Sequence, residues 1–238
     1  MPTYYRFRPT FGFLSHLYKS TTFQDHKALI PMISRHLPTD GVAIDVGAHG
    51  GQVTRLLAGI ASNGLVLAVE PSSYSRAILR VALWLRRVRN TVVFAGALGS
   101  TNGTATIHTP LKRYRDMGYG LANLVSGGAD AISEPVAMVT LDCLVAEFGL
   151  KRVDFIKADI EGYEAAMLAG AKSVLDTYRP AVFLEMNDEF LRRAGSSLNG
   201  LWSDLKGLGY IPHSVSGAAI ANPADALGDV LWIHASRV

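Results

Sequence analysis

The chain has 238 residues, 49% of them hydrophobic and 18% charged; this length fits one large domain or two small ones, and the composition excludes disorder, collagen-like repeats and coiled coils. Its 23 Lys and Arg against 20 Asp and Glu leave a net charge of +3, too small an excess to name an acidic partner. Cys143 is the only cysteine, which excludes an internal disulfide framework and a cysteine-rich zinc site, and Arg80 and Arg86 interrupt the most apolar stretch, Ala77 to Leu85, which excludes a spanning helix.

Met1 to Leu17 carries Arg6 and Arg8 but mixes aromatic and polar residues without a clean apolar core or cleavage site, the pattern of a mature cytoplasmic chain. Residues 1–38 read as an amino-terminal cover, with a helix expected over Gln24 to Leu37 and Pro38 just before the first strand. Tyr4, Tyr5, Phe7, Phe11 and Phe13 in this cover have three roles open to them: covering the sheet, lining an acceptor pocket, or pairing subunits in a homodimer.

From residue 39 onward short apolar runs, several ending in an acid, alternate with segments of helical spacing, the rhythm of an α/β domain over 39–238. Strands are expected at Val42–Val46, Leu65–Val69, Val92–Ala95, Val153–Ala158, Ala181–Glu185, Tyr210–Val215 and Val230–Ala235. Most are apolar at consecutive positions, as in a mostly parallel sheet with helices on both faces. Helices are expected around Val53 to Ile60, Ile78 to Val88, Gly162 to Leu175 and Leu198 to Leu208. Only Ser216 to Gly228 separates the last two strands, which suits an antiparallel hairpin. Residues 99–140 form an insertion: Thr104–Thr109 and Val136–Thr140 look like strands, and Gly118, Gly120, Gly127 and Gly128 mark a long loop assigned to substrate contact.

The strongest local signal is VAIDVGAHGGQVT, Val42 to Thr54, where a buried strand ends in Asp45 and turns through Gly47 and Gly51 into a helix. Glycine lets backbone approach a ligand closely, and the helix amino terminus favours an anionic group there. Glu70 ends the next strand 25 residues later, where an acid accepts hydrogen bonds from ribose hydroxyls. A dinucleotide fingerprint would read G-x-G-x-x-G; here the acid stands two places before the first glycine, and the Tyr-x-x-x-Lys pair of short-chain dehydrogenases is absent. The arrangement resembles the nucleoside-binding turn of class I methyltransferases that use S-adenosylmethionine. A strand-turn-helix with no ligand is the plain alternative.

Later motifs extend the resemblance. VTLDCLVAEFGLKRVDFIKADIEGYEAAMLAGA, Val139 to Ala171, then RPAVFLEMN, Arg179 to Asn187, are similar to the FkbM family of methyltransferases, whose pattern runs D-x-G-A-N-x-G, E-P, L-D, I-K-x-D-x-E-G-x-E, P-x-x-x-x-E. The resemblance covers about residues 37–188, and the chain departs from it at His49, where asparagine is usual, and at Cys143, where an acid or another polar residue is common. It implies a Rossmann-like fold and S-adenosylmethionine as cofactor, with Asp45, Gly47, Ala48, His49 and Gly51 around the methionine end. Glu70 would then meet the ribose, and Pro71, Ser72, Ala97 and Leu98 the adenine. It further implies O-methylation of a hydroxyl on a sugar, polyketide or related small molecule. An RNA methyltransferase and a non-catalytic S-adenosylmethionine-binding module remain as alternatives.

Asp159 closes a buried strand at the edge where open α/β sheets place ligands, and is read as the group that orients or deprotonates the acceptor hydroxyl. Glu161 and Glu185 are secondary candidates, with His49 and His213 the histidines in question. Lys157 is an alternative ion-pair partner for Asp159, and Glu164 is read as complementing a helix dipole. Asp159, Glu185 and Asn187 make an oxygen set compatible with Mg²⁺, an option not favoured over a free carboxylate. Arg76, Arg80, Arg86, Arg87 and Arg89, with Lys112, Arg113 and Arg115, lack the interleaved aromatics of a nucleic-acid groove; Arg76, Arg80 and Arg87 read as the solvated face of a helix whose inner face holds Ile78, Val81 and Leu85. Trp84, Trp202 and Trp232 read as core or subunit contacts.

Overall fold

A computed structural model of the chain describes residues 10–23, 25–110 and 131–237. Gly118, Gly120, Gly127 and Gly128, the basic Lys112, Arg113 and Arg115, and the aromatic Tyr4, Tyr5 and Phe7 lie outside the described residues. The described strands are β1 (Val42–Val46), β2 (Leu65–Val69), β3 (Thr91–Phe94), β4 (Ala97–Leu98), β5 (Gly103–Pro110), β6 (Ala131–Val139), β7 (Phe155–Ala158), β8 (Ala181–Met186), β9 (Tyr210–Ser214) and β10 (Gly228–His234). The helices are α1 (Phe11–Thr22), α2 (Ile30–Ile33), α3 (Gln52–Ile60), α4 (Ser73–Leu85), α5 (Leu141–Glu147), α6 (Glu164–Ala169), α7 (Lys172–Tyr178), α8 (Asp188–Arg193) and α9 (Leu198–Gly207).

Seven strands form one sheet in the order β3-β2-β1-β7-β8-β10-β9. β10 runs antiparallel to both β8 and β9, and the other pairings are parallel. β1 is therefore interior, and its alternating side chains feed two cores. Ile44 and Val46 join Leu144, Met167, Leu175 and Leu201 on one face, while Ala43 joins Ile33, Leu56, Leu57 and Phe183 on the other. The order turns back between β1 and β7, so the carboxyl ends of these two strands open the crevice in which such sheets bind ligands. The insertion is a second sheet, β4-β6-β5, in which the expected hairpin strands extend to residues 103–110 and 131–139.

Several expected helices differ. Gln24 to Leu37 is not one helix: a short 3-10 turn over Asp25–Leu29 leads into α2, whose Pro31 stands in the first turn, a residue that starts helices and cannot continue them. Ahead of it, α1 is capped by Thr10, which accepts from Phe13 N at 3.2 Å. Phe13 and Tyr74 meet edge to face at 5.8 Å, and His16 Nδ1 lies 2.8 Å from the Tyr74 hydroxyl, so α1 packs along α4. The segment Gly162 to Leu175 divides into α6 and α7 at Gly170, where a Cβ would stand 2.2 Å from the Gly99 carbonyl. Asp142 of the L-D motif accepts from Ser173 N and Val174 N at 3.0 and 2.9 Å and so caps α7 from α5.

Trp232 is fully buried and meets Trp202 edge-on at 5.2 Å, but Trp84 and Leu85 point outward. Arg76 is half-buried, not solvated: its guanidinium donates to the Glu70 and Pro71 carbonyls. Among the described residues no helix is long and apolar enough to cross a membrane.

Candidate active site

The turn after β1 is built from behind. Gly47 has φ +73°, and its Cβ would fall 2.1 Å from the Asp159 carbonyl oxygen, so glycine is required there by the end of β7 before any ligand is considered. Gly47 N and Ala48 N donate to the Val69 carbonyl at 3.0 and 3.1 Å, which lays the turn on the end of β2. His49 also has positive φ, +46°, a conformation in which histidine and asparagine are both enriched among non-glycine residues, so the departure from asparagine leaves the turn intact.

Gly51 meets Leu79 of α4 at 2.4 Å from a Cβ position, and Asp45 lies buried beneath the turn, accepting from Thr54 Oγ1 at 2.5 Å. Ser72 is buried and caps α4 by accepting from Ser75 N at 3.4 Å. These three expected cofactor contacts are thus supports of the turn and of α4; they do not line the cavities beside it.

Glu70 is buried at the end of β2, and both carboxylate oxygens are engaged: Oε2 accepts from His49 N and Oε1 from Ser72 N, each at 2.8 Å. It ties the glycine turn to the start of α4. Beside the turn is a slot lined by Val69, Pro71, Ala97, Leu98, Ile107 and Tyr163, together with Glu70, His49 and Glu161. Next to it is a polar cleft lined by His26, Gln52, Lys157, Asp159, Phe183, Glu185 and Asp229, among others. Gly47, His49 and Asp159 belong to both, so the two spaces meet at Asp159.

The cleft is electrostatically organised around Lys157. This buried ammonium donates to the Gly47 carbonyl at 3.0 Å and lies 3.6 Å from Asp45 Oδ1 and 3.7 Å from Asp159 Oδ2. Burial alone would lower its pKa, but the charges of Asp45 and Asp159 outweigh burial and raise it. Burial likewise acts against the Asp159 carboxylate, yet Lys157 and His49 prevail and hold it below its ordinary value. Glu185 stands beside Asp159; burial and the Asp159 charge push it up to about 7. Burial and Asp159 also raise Glu161 and Asp229.

Of the remaining sequence expectations, Glu164 is a local brace: it is buried, accepts from Ile160 N at 2.9 Å, and is raised by burial. His213 lies on β9 beside the Ile211 carbonyl, outside both cavities. Asn187 caps α8, accepting from Glu189 N and Phe190 N at 3.1 and 3.3 Å. Among the described residues no group of three or more His, Cys, Asp or Glu is placed to hold a metal ion.

Asp159, Glu161 and Glu185 line one or both of these adjoining cavities, as do Gly47, Ala48, His49, Glu70, Pro71, Ala97 and Leu98. Asp229 and His26 were not read from the sequence. Asp229 reaches the cleft because β10 pairs it with Glu185, a register no local pattern encodes. A buried acid lining a narrow apolar slot, beside backbone that only glycine permits, is the donor set of a nucleoside site, and the residues fit S-adenosylmethionine.

The sequence model of the methyltransferase FkbM domain matches residues 45–212. No curated protein matches significantly. Among solved structures, the chain is similar to a methyltransferase FkbM from Methylobacillus flagellatus KT, with TM-score 0.55 and 14% identity over 94% of this chain and 58% of that one. The chain thus spans a little over half that protein's length. An O-methyltransferase from Bacillus cereus, in complex with S-adenosylhomocysteine, gives TM-score 0.53 and 13% identity over 97% and 93%. A putative rRNA methylase from Clostridium thermocellum gives 0.51 and 9% over 86% and 92%. At such identities these likenesses show the fold.

Proposed function

The chain belongs to the FkbM methyltransferase family, whose members depend on S-adenosylmethionine, and from that premise we propose that it methylates a hydroxyl group of a small molecule. When bound, S-adenosylmethionine supplies an electrophilic methyl carbon. In the protein, Ala97, Leu98, Pro71 and Ile107 would clasp the adenine, the free lone pairs of Glu70 the ribose hydroxyls, and Gly47 and His49 the methionine end. The observation that carries the reading is the Asp159 and Glu185 pair in the polar cleft, which shares Gly47, His49 and Asp159 with the slot.

Transfer to an alcohol requires removal of a proton. Sequence alone favoured Asp159 for that step; the electrostatics divide the work. Asp159, kept ionised by Lys157, is a poor proton acceptor but a fixed hydrogen-bond acceptor that orients the hydroxyl. Glu185, with a pKa of about 7, is matched to take up a proton near neutrality, and a base so placed contributes about 10²–10⁴-fold.

The test is formation of S-adenosylhomocysteine from S-adenosylmethionine with hydroxyl-bearing small molecules, with RNA, and with no acceptor. Turnover confined to small hydroxyl acceptors and lost in Glu185→Gln supports the reading. Methylation of RNA alone overturns it, and cofactor binding without transfer to any acceptor leaves a binding module in its place.

A further inference from the structure

α1 is apolar on two sides. Phe13 and Leu17 turn inward against Tyr74, Ala77 and Ile78 of α4. Phe11, Leu14 and Tyr18, at helical spacings of three and four, turn outward, with Phe11 88% and Tyr18 63% exposed. α4, packed alongside, ends in two more outward apolar residues, Leu85 and Trp84, the latter 76% exposed. Exposed Phe, Tyr, Trp and Leu thus stand on two adjoining helices, and grouped apolar side chains of this kind mark interaction surfaces.

The charge carried by these two helices is basic, and the acid packed beside them is Glu134, which accepts from Ser73 N at the amino end of α4. Residues 1–24 and 71–115 contain no Asp or Glu, and these are the segments that supply α1 and α4. The α4 side carries Arg80, Arg86, Arg87 and Arg89, all exposed, and α1 carries Lys19. Arg86 and the buried Arg55 both donate to the Thr21 carbonyl at the end of α1, which locks the two helices in place and keeps the apolar side chains presented together.

We propose that the α1–α4 face docks on an anionic phospholipid surface, its aromatic and leucine side chains entering the headgroup boundary while the arginines meet lipid phosphates. The composition fits interfacial binding, in which apolar insertion and basic residues act together and each Lys or Arg near an anionic leaflet contributes about 1 kcal/mol. Trp and Tyr are the side chains enriched at that boundary.

A second copy of the chain fits worse, because a two-fold contact would set this arginine cluster against itself. RNA also fits worse: single-stranded grooves interleave aromatic and basic residues in a channel, whereas leucines and aromatics here stand on helix exteriors and line neither cavity of the site. The placement has a consequence for the enzyme. The amino end of α4 adjoins Glu70 and Pro71, so docking through this face would hold the nucleoside end of the site near the lipid surface.

The experiment uses the full chain with vesicles of phosphatidylcholine alone and of phosphatidylcholine mixed with phosphatidylglycerol, read by sedimentation and by tryptophan fluorescence. Trp202 and Trp232 are packed together, so a blue shift on adding vesicles reports Trp84. Binding to the anionic vesicles only, with a blue shift that Trp84→Phe abolishes, is expected. Arg80→Glu combined with Arg89→Glu should weaken vesicle partition about tenfold or more, since both residues are exposed and neither donates a hydrogen bond among the described residues. Methyl transfer to a water-soluble acceptor should be unchanged in these variants. Four results would each overturn the proposal: no vesicle binding, equal binding to neutral vesicles, binding unaffected by the arginine changes, or these changes abolishing instead an RNA complex or a dimer.

Discussion

Asp159 and Glu185 stand side by side at the carboxyl ends of two parallel strands, and the charge of Asp159 adds to burial in raising Glu185. The register makes this neighbourhood: Ala158 of β7 pairs with Leu184 of β8, so the next residue on each chain falls beside the other. Lys157 stabilises charge on Asp159 at 3.7 Å, and Asp159 in turn raises Glu185, so one ammonium separates the titration of two like groups.

The pH–rate profile should show this separation. Glu185 is raised to about 7, so below that pH it is protonated and unable to accept the hydroxyl proton, and above it ionised. Turnover at saturating substrate should therefore fall about tenfold per unit on the acid side of about 7 and level off above it. Glu185→Gln should lose about 10²–10⁴-fold together with this limb. In Asp159→Asn the repelling charge is gone, so the limb should move to lower pH while turnover falls far more than cofactor affinity. A wild-type profile flat across the neutral range would remove Glu185 from the proton-transfer role.

Lys157→Met should be among the most destabilising single changes in the chain. It leaves Asp45 and Asp159 facing each other without their buried cation, a loss on the order of 3–5 kcal/mol. Because the folded protein raises the lysine above its ordinary 10.5, the stabilisation is fully present below that value and disappears as pH rises through the folded pKa. Denaturant midpoints should therefore differ widely between wild type and variant at neutral pH and converge in strong alkali. Equal midpoints at neutral pH would show that the pair is not needed for folding.

Glycines of the same turn and helix should respond in opposite senses. Gly47→Ala places a Cβ 2.1 Å from the Asp159 carbonyl in a backbone of positive φ, so it should lower the melting temperature of the ligand-free protein as well as weaken S-adenosylmethionine. Gly59→Ala, within α3 and with nothing inside 4 Å, should stabilise by about 0.4–1 kcal/mol. Thermal melts without ligand decide both. An unchanged melt for Gly47→Ala would mean that the close approach to β7 relaxes freely.

The central strands were legible because buried parallel strands read as unbroken apolar runs; β1, β2 and the start of β8 lie where those runs lie. The glycine turn and Glu70 were legible because their chemistry is local. What was hidden depends on how side chains pack. Asp45, Gly51 and Ser72, expected as ligand contacts, meet Thr54, Leu79 and Ser75. α5 and α8, of seven and six residues, are too short to show a helical period and are announced only by their caps, Thr140 and Asn187. Asp229 entered the cleft through an antiparallel register, and Trp84, expected as a core or subunit contact, stands exposed near the end of α4.

Glu70 has two duties, and a thermodynamic cycle can separate them. Its carboxylate already accepts from His49 N and Ser72 N, and a carboxylate offers about four lone-pair sites, so about two remain for the ribose hydroxyls. Glu70→Ala should leave two backbone donors unmatched, a loss of about 1–3 kcal/mol for each that stays buried, and should weaken S-adenosylmethionine by at least tenfold. Loss of the turn alone would weaken every ligand in the slot equally. Calorimetry with S-adenosylhomocysteine and its 2′-deoxy analogue distinguishes these cases: removing the hydroxyl should reduce affinity in the wild type and have little further effect in Glu70→Ala. If the analogue instead lost the same affinity in both proteins, Glu70 would be a brace of the turn and the ribose would find its acceptor elsewhere. NAD should bind neither protein, and tight NAD binding would overturn the cofactor assignment itself.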